Sequence, residues 1–230
     1  MNRKIELITV CKEYSDFLKI TLPINKKYFD NILVITDQED IETQELCKKE
    51  NVNFVIYDGF NKMNAKFNFG GARNFGIQNL KYYDWVVFLD SDIIIEDKNF
   101  RRIVDIDNID INKFYGSYRR FIPTHKDYLL YRNGLKTKDD FEAIEGSGCG
   151  FFQCINLNSD VARYYGLANL YKDSYSSIEV DINFLKLWCP RIDPENHPRL
   201  VKTNIELLHL GTSDGRHHYG RDEKDPFFRE

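Results

Sequence analysis

The stretch Trp85-Val-Val-Phe-Leu-Asp90-Ser-Asp92-Ile-Ile-Ile95 sets two carboxylates two residues apart inside an otherwise apolar run. An apolar run rich in β-branched side chains fits a strand covered on both faces, as in a parallel sheet. Ionised carboxylates beside such an interior are costly unless they are paired or coordinate a metal. Asp90 and Asp92 are therefore expected to form a functional edge that meets a divalent cation. Mg²⁺ and Mn²⁺ take oxygen ligands and share them with substrate phosphates, so the pair also points to a phosphorylated substrate. The competing reading is a strand end turning into solvent, because an isolated DxD is a short motif.

Working outward, the residues before this run alternate strand and helix patterns: a strand over 5–10, a helix over 14–27, a strand over 32–36, a helix over 39–50 and a strand over 53–57. A βαβαβ order favours a parallel sheet with helices on its faces. Pro23 predicts a kink or an end in the first helix. The segment Gly70-Gly-Ala-Arg-Asn-Phe-Gly-Ile-Gln-Asn-Leu80 reads as a glycine-marked loop entering a helix, and residues 82–84 as the turn before the acidic strand. Asp90 then lies at the carboxyl end of the fourth strand, where ligands of open α/β sheets bind. Downstream, strands are expected over 114–121, 151–155 and 205–210, helices over 159–165 and 179–188, and a polar surface excursion over 126–140. The tail beyond Gly211, with His217 and His218, reads as a loop near a site or a frayed end. No internal repeat is visible.

Composition narrows the classes. The 230 residues are 42% hydrophobic and 14% aromatic, enough to bury a core as one domain. With 32 basic against 36 acidic residues the net charge is -4, which lacks the basic footprint of a nucleic-acid binder. The cysteines (Cys11, Cys47, Cys149, Cys154, Cys189) are odd in number and never spaced CxxC, so free thiols in a reducing compartment are expected. No stretch approaches 18 apolar residues and no signal peptide is visible, so the sequence reads as soluble and cytoplasmic.

Several motifs in order complete the pattern: the N-terminal βαβαβ unit, Gly71-Ala72-Arg73-Asn74-Phe75-Gly76, Phe88-Leu89-Asp90-Ser91-Asp92, Gly146-Ser-Gly-Cys-Gly-Phe-Phe152, Glu179-Val-Asp181 and His209-Leu-Gly211. Together they resemble the nucleotide-sugar-dependent glycosyltransferases of the GT-A fold, most closely the inverting family 2 type, over most of the chain. The resemblance implies an α/β fold with a Rossmann-like, mixed but mainly parallel central sheet flanked by helices. It implies one domain, with residues 1–95 as the nucleotide-binding half and 96–230 as the acceptor half and tail. It implies a nucleoside-diphosphate sugar donor, a glycan, glycoprotein or small-molecule acceptor, and Mn²⁺ or Mg²⁺ bridging the donor diphosphate as a Lewis acid.

Carried over residue by residue, Asp92 is the main metal ligand, Asp90 a ribose or water-mediated metal contact, and His209 a third protein ligand, whose imidazole suits Mn²⁺ better than Mg²⁺. A strand-end histidine can equally be structural. Thr9, Asp37, Arg73, Asn74, Ser91 and Gly148 fall on the donor-binding side, although Thr9 and Asp37 could also be capping residues and Arg73 an ordinary solvated helix start. Inversion needs a general base; the Glu-Asp pair of the family is interrupted here by Val180, and aligning the following Ile-Asn-Phe-Leu with the family's helix implies Asp181 as the base and Glu179 as the alternative. Residues two apart on a helix do not share a face, so at most one of them serves. Two other readings compete. A haloacid-dehalogenase-type phosphatase also ends a strand with two aspartates, but usually on the first strand. A non-catalytic nucleotide-sugar or glycan-binding module of the same fold fits the Glu-Val-Asp departure.

Overall fold

The computed structural model describes residues 3–62, 67–105, 109–144, 150–173, 177–190, 197–211 and 226–228. In chain order these form β1 (Ile5–Val10), α1 (Ser15–Asn25), β2 (Asn31–Thr36), α2 (Ile41–Glu50), β3 (Asn53–Ile56), α3 (Phe69–Gln78), β4 (Trp85–Leu89), β5 (Ile93–Ile95), α4 (Arg102–Asp105), β6 (Phe114–Ile122), α5 (His125–Arg132), β7 (Ala143–Ile144), β8 (Phe152–Asn156), α6 (Asp160–Tyr165), α7 (Ser177–Trp188) and β9 (Leu200–Leu210). One mixed sheet runs in the order β3-β2-β1-β4-β8-β6-β9-β5, with β7 on the side of β6. Strands β1 to β4 are parallel to one another where they pair, as the apolar runs predict. Beyond them β8 lies antiparallel between β4 and β6, and β9 runs parallel to β6.

Side chains alternate across this sheet, so it has two apolar layers. On one face Ile5, Leu7, Trp85 and Val87 pack with Leu18 and Leu22 of α1. On the other, Ile8, Val10, Val86 and Phe88 pack with Ala72 and Ile77 of α3 and with Val180, Phe184 and Trp188 of α7. The four cysteines among the described residues, Cys11, Cys47, Cys154 and Cys189, are buried free thiols.

Three expectations change. The run from Trp85 to Ile95 is two strands: β4 pairs with β1 and β8, while β5 crosses to the far edge and pairs with β9. The break falls at Asp90–Asp92, where carboxylates could not continue a buried strand. Gly70 and Gly71 belong to α3 and not to a loop before it; Asn68 caps that helix by accepting from Gly71 N–H at 3.0 Å. The glycines serve close packing: a Cβ on Gly70 would lie 3.0 Å from the Lys172 carbonyl carbon and nearer still to its oxygen. Finally, the segment expected as a polar excursion contains α5, capped by Thr124, whose hydroxyl accepts from Asp127 N–H at 3.1 Å. Of its residues only Tyr128 is buried, so α5 has no apolar stripe to reveal it in sequence. Pro23 lies near the carboxyl end of α1.

Candidate functional site

The Asp90-Ser91-Asp92 turn is gripped from three sides. Ile93 N–H donates to the Asp90 carbonyl at 3.2 Å and closes it, Asp90 N–H donates to the Phe151 carbonyl at 3.1 Å, and Leu210 N–H donates to the Asp92 carbonyl at 3.0 Å. From α1, Thr21 Oγ1 donates to the Ser91 carbonyl at 2.6 Å. Asn25 Nδ2 donates to the Ile93 carbonyl at 2.7 Å while its Oδ1 accepts from Ile95 N–H at 2.9 Å. Asn25 thus plays the part of a neighbouring strand along the outer edge of β5, which would otherwise expose an unpaired ladder. These buried polar residues on α1 explain how a three-residue strand holds a fixed orientation.

Antiparallel pairing of β5 with β9 sets Ile93 opposite His209 and brings the imidazole to the acidic turn. His209 Nε2 lies 3.4 Å from Asp92 Oδ1, and both side chains are almost fully buried. The imidazole stacks on Phe121 at 4.6 Å between centroids. Among the described residues no group of three or more His, Cys, Asp or Glu side chains could hold a metal alone. The donor set that is present, one buried carboxylate beside one imidazole with Asp90 on the same turn, fits Mn²⁺ or Mg²⁺ of the kind that completes its shell with substrate phosphates and water.

A second cluster adjoins the first. Arg73, on the inward face of α3, is 1% exposed, so it is not the solvated helix start that its sequence position also allowed. Its Nη1 donates to Asp181 Oδ1 at 2.6 Å and to Gln153 Oε1 at 3.0 Å; its Nη2 reaches the Gly150 carbonyl at 3.0 Å and Asp90 Oδ1 at 3.4 Å. The guanidinium stacks over Phe69 at 4.0 Å. Arg73 therefore joins the DxD turn to α7. Burial pushes the Asp181 carboxyl up, to about 6, against the pull of Arg73, and the Asp90 charge adds to the rise. Burial would lower Arg73, but the Asp181 and Asp90 carboxylates around it win and hold it above its ordinary value, so it stays charged. A carboxyl that titrates near 6 and is ionised at neutral pH suits a general base.

The two acidic candidates on α7 separate. Asp181 faces inward at 6% exposure, whereas Glu179 is on the exposed side of the helix. The rotation of α7, fixed by Val180 and Phe184 in the core, turns the first inward and the second outward. Asp37 lies beyond β2 and pairs with Lys12 at 3.1 Å. Thr9, in β1, is 1% exposed and its Oγ1 has no hydrogen-bond partner among the described residues. Ser91 is buried in the turn. Asn74 spends its side chain on the backbone of Tyr171, accepting from its N–H at 2.9 Å and donating to its carbonyl at 2.5 Å. Gly148, like His217 and His218, lies outside the described residues.

Sequence reading missed Gln153 and Tyr171, both buried against Arg73. A signal existed for Gln153: an amide between apolar residues inside the strand Phe-Gln-Cys-Ile-Asn is the same kind of anomaly as the aspartates that follow β4. Tyr171 had none, being one of 14 tyrosines.

No protein-family model and no curated protein matches the sequence. Solved structures do share the fold. Glucosyl-3-phosphoglycerate synthase from Mycobacterium tuberculosis, solved with Mn²⁺, UDP and glucosyl-3-phosphoglycerate, matches with a TM-score of 0.54 at 12% identity over 90% of this chain and 72% of its own. GalNAc-T7, solved with UDP, GalNAc and Mn²⁺, matches at 0.58 and 12% identity over 98% of this chain and 46% of its own. The mannosyltransferase PcManGT from Pyrobaculum calidifontis, solved with GDP-Man and Mn²⁺, matches at 0.57 and 9% identity over 94% of this chain and 59% of its own. The chain has the GT-A fold of these glycosyltransferases, and it spans about half the length of the latter two.

Proposed function

We propose that this chain is a metal-dependent glycosyltransferase that moves a sugar from a nucleoside-diphosphate donor, UDP-linked, to an acceptor hydroxyl with inversion. The observation that carries the reading is a buried Asp92–His209 pair linked, through Asp90 and Arg73, to a buried carboxylate raised to about 6. The GT-A neighbours solved with Mn²⁺ and UDP or a GDP-sugar support it.

In this reading Asp92 and His209 hold Mn²⁺ or Mg²⁺, with Asp90 contacting the ribose or the metal through water. The bound cation supplies neutralisation of charge on the departing nucleoside diphosphate. Thr9, Asp37, Ser91 and Gly148 belong to the donor side, and the Thr9 hydroxyl, without a partner among the described residues, is a group that a donor could satisfy. Arg73 and Asn74 serve the same side from behind, through Asp90 and Tyr171. Residues 1–95 form the nucleotide half and 96–230 the acceptor half. Asp181 takes the acceptor proton as the acceptor oxygen bonds to the anomeric carbon and the bond to the diphosphate oxygen breaks. Among the described residues no helix is long and apolar enough to cross a membrane, and a cytoplasmic enzyme with no nucleic-acid partner is the expectation carried forward.

The test is turnover of UDP- and GDP-sugars with Mn²⁺ by wild type and Asp181→Asn, with the product anomer read by NMR. The variant should keep donor binding and lose transfer by on the order of 100-fold or more. Normal transfer by Asp181→Asn would remove the base assignment, and a retained anomer would remove inversion.

A further inference from the structure

We infer that Gln153 is a positioning residue for Asp181, fixing one carboxylate oxygen so that the other, Oδ2, is the atom that meets the acceptor hydroxyl. This rests on Asp181 as the base. The amide orientation follows from its neighbours. Arg73 has only donors, so the Gln153 atom 3.0 Å from Nη1 is the oxygen. That oxygen also accepts from the Tyr171 hydroxyl at 2.5 Å, which burial keeps protonated by pushing its pKa well up. Nε2 is then left facing Asp181 and donates to Oδ1 at 3.1 Å.

Oδ1 thus accepts two buried donors, Gln153 Nε2 and Arg73 Nη1, and has little basicity to spare. No hydrogen bond from a described residue reaches Oδ2. It lies beside Gly150, where φ is +88° and an added Cβ would come within 3.0 Å of it. Glycine therefore keeps a side chain at position 150 from crowding Oδ2, immediately before the Phe151 carbonyl that anchors the DxD turn. The clamp is rigid. Tyr171 stacks on Phe184, one turn along α7 from Asp181, at 4.0 Å between centroids and 10° between planes, and Asn74 pins its backbone from both sides. Gln153 is itself fully buried in β8.

A hydrogen bond to the ionised form favours that form, so losing Nε2 should make Asp181 harder to ionise. Among the described residues the groups facing Asp181 are Arg73 from α3, Gln153 from β8 and the Tyr171 hydroxyl, with Asp90 beyond Arg73. The experiment is side-chain carboxyl NMR of ¹³C-labelled wild type, Gln153→Met and Gln153→Glu, with the Asp181 signal identified from Asp181→Asn. Alongside it, UDP affinity in Mn²⁺ and donor turnover would be measured on the full chain. Gln153→Met should raise the Asp181 midpoint by on the order of one pH unit, a tenfold change, and move the acidic limb of turnover by the same amount with UDP affinity within about twofold. Gln153→Glu, which brings a like charge, should raise the midpoint at least as far. If one variant fails to fold, the other decides. An Asp181 midpoint that neither variant moves overturns the proposal, and so does a loss of UDP binding equal to the loss of turnover. Failure of the base assignment shows separately, as turnover that survives Asp181→Asn.

Discussion

Arg73→Met removes a buried guanidinium while nearly preserving side-chain volume. In the wild type Arg73 and Asp181 are both almost fully buried and meet at 2.6 Å, and Asp90 adds a longer contact from a partly exposed carboxylate. Breaking a buried pair by deleting one partner costs about 3–5 kcal/mol, because the other charge stays in the interior. For a chain of this length that is a fall in Tm of roughly 6–20 °C. The effect should depend on pH. Since the folded-state pKa of Asp181 is raised from 3.8 to about 6, its favourable contribution is complete below about pH 4 and is lost as pH rises through about 6. Without Arg73 that pKa climbs further, so the penalty is largest at pH 8 and shrinks at pH 5, where the carboxyl is protonated in both proteins. Urea denaturation of wild type and variant at pH 5 and pH 8 measures it. A loss below about 1 kcal/mol at pH 8, or an equal loss at both values, would refute the argument that Arg73 is the counter-ion of a desolvated Asp181.

Three further outcomes are expected. Gly70→Ala must push its Cβ against the Lys172 backbone and should lose about 1–3 kcal/mol or more in thermal or urea unfolding; unchanged stability would mean that the α3 contact with residues 171–173 is looser than described. With Asp181 at about 6, kcat/KM should fall about tenfold per unit below that pH, and a profile flat down to pH 4.5 would exclude Asp181 as the base. His209→Ala should weaken UDP binding in Mn²⁺ by on the order of tenfold and in Mg²⁺ by less, because the imidazole favours the softer ion; equal affinity of wild type and variant in Mn²⁺ would return His209 to a packing role on Phe121.

The parallel half of the sheet was legible because β1, β2 and β4 are buried on both faces and leave nearly continuous apolar runs, and the DxD stood out as charge where such a run allows none. The fate of β5 was not legible. Ile93–Ile95 looks like a continuation of β4, and only its pairing with β9 and its two hydrogen bonds with the Asn25 side chain show that it crosses to the sheet edge. That long-range pairing is also what delivers His209, so sequence order could nominate the histidine without bringing it to Asp92. Asp181 could be named as the base with Glu179 as the alternative, but which of them faces inward was not legible, because the rotation of α7 is set by its core contacts. Gly70 and Gly71 read as a loop because glycine pairs usually mark one, when Gly70 lets α3 approach the Lys172 backbone and Gly71 makes room for the side chains of Tyr57, Asn68 and Asp173. Arg73 was recognised from its motif, yet its burial, and the service of Gln153 and Tyr171 around it, depends on residues 80 and 98 positions away along the chain.

The most direct test is a calorimetric titration of UDP and GDP into wild type and Asp92→Ala, each with and without Mn²⁺. The account predicts binding of at least one nucleotide, with UDP preferred, that requires both the cation and Asp92. Binding that is indifferent to Mn²⁺ or survives Asp92→Ala, or no binding under any condition, would contradict it.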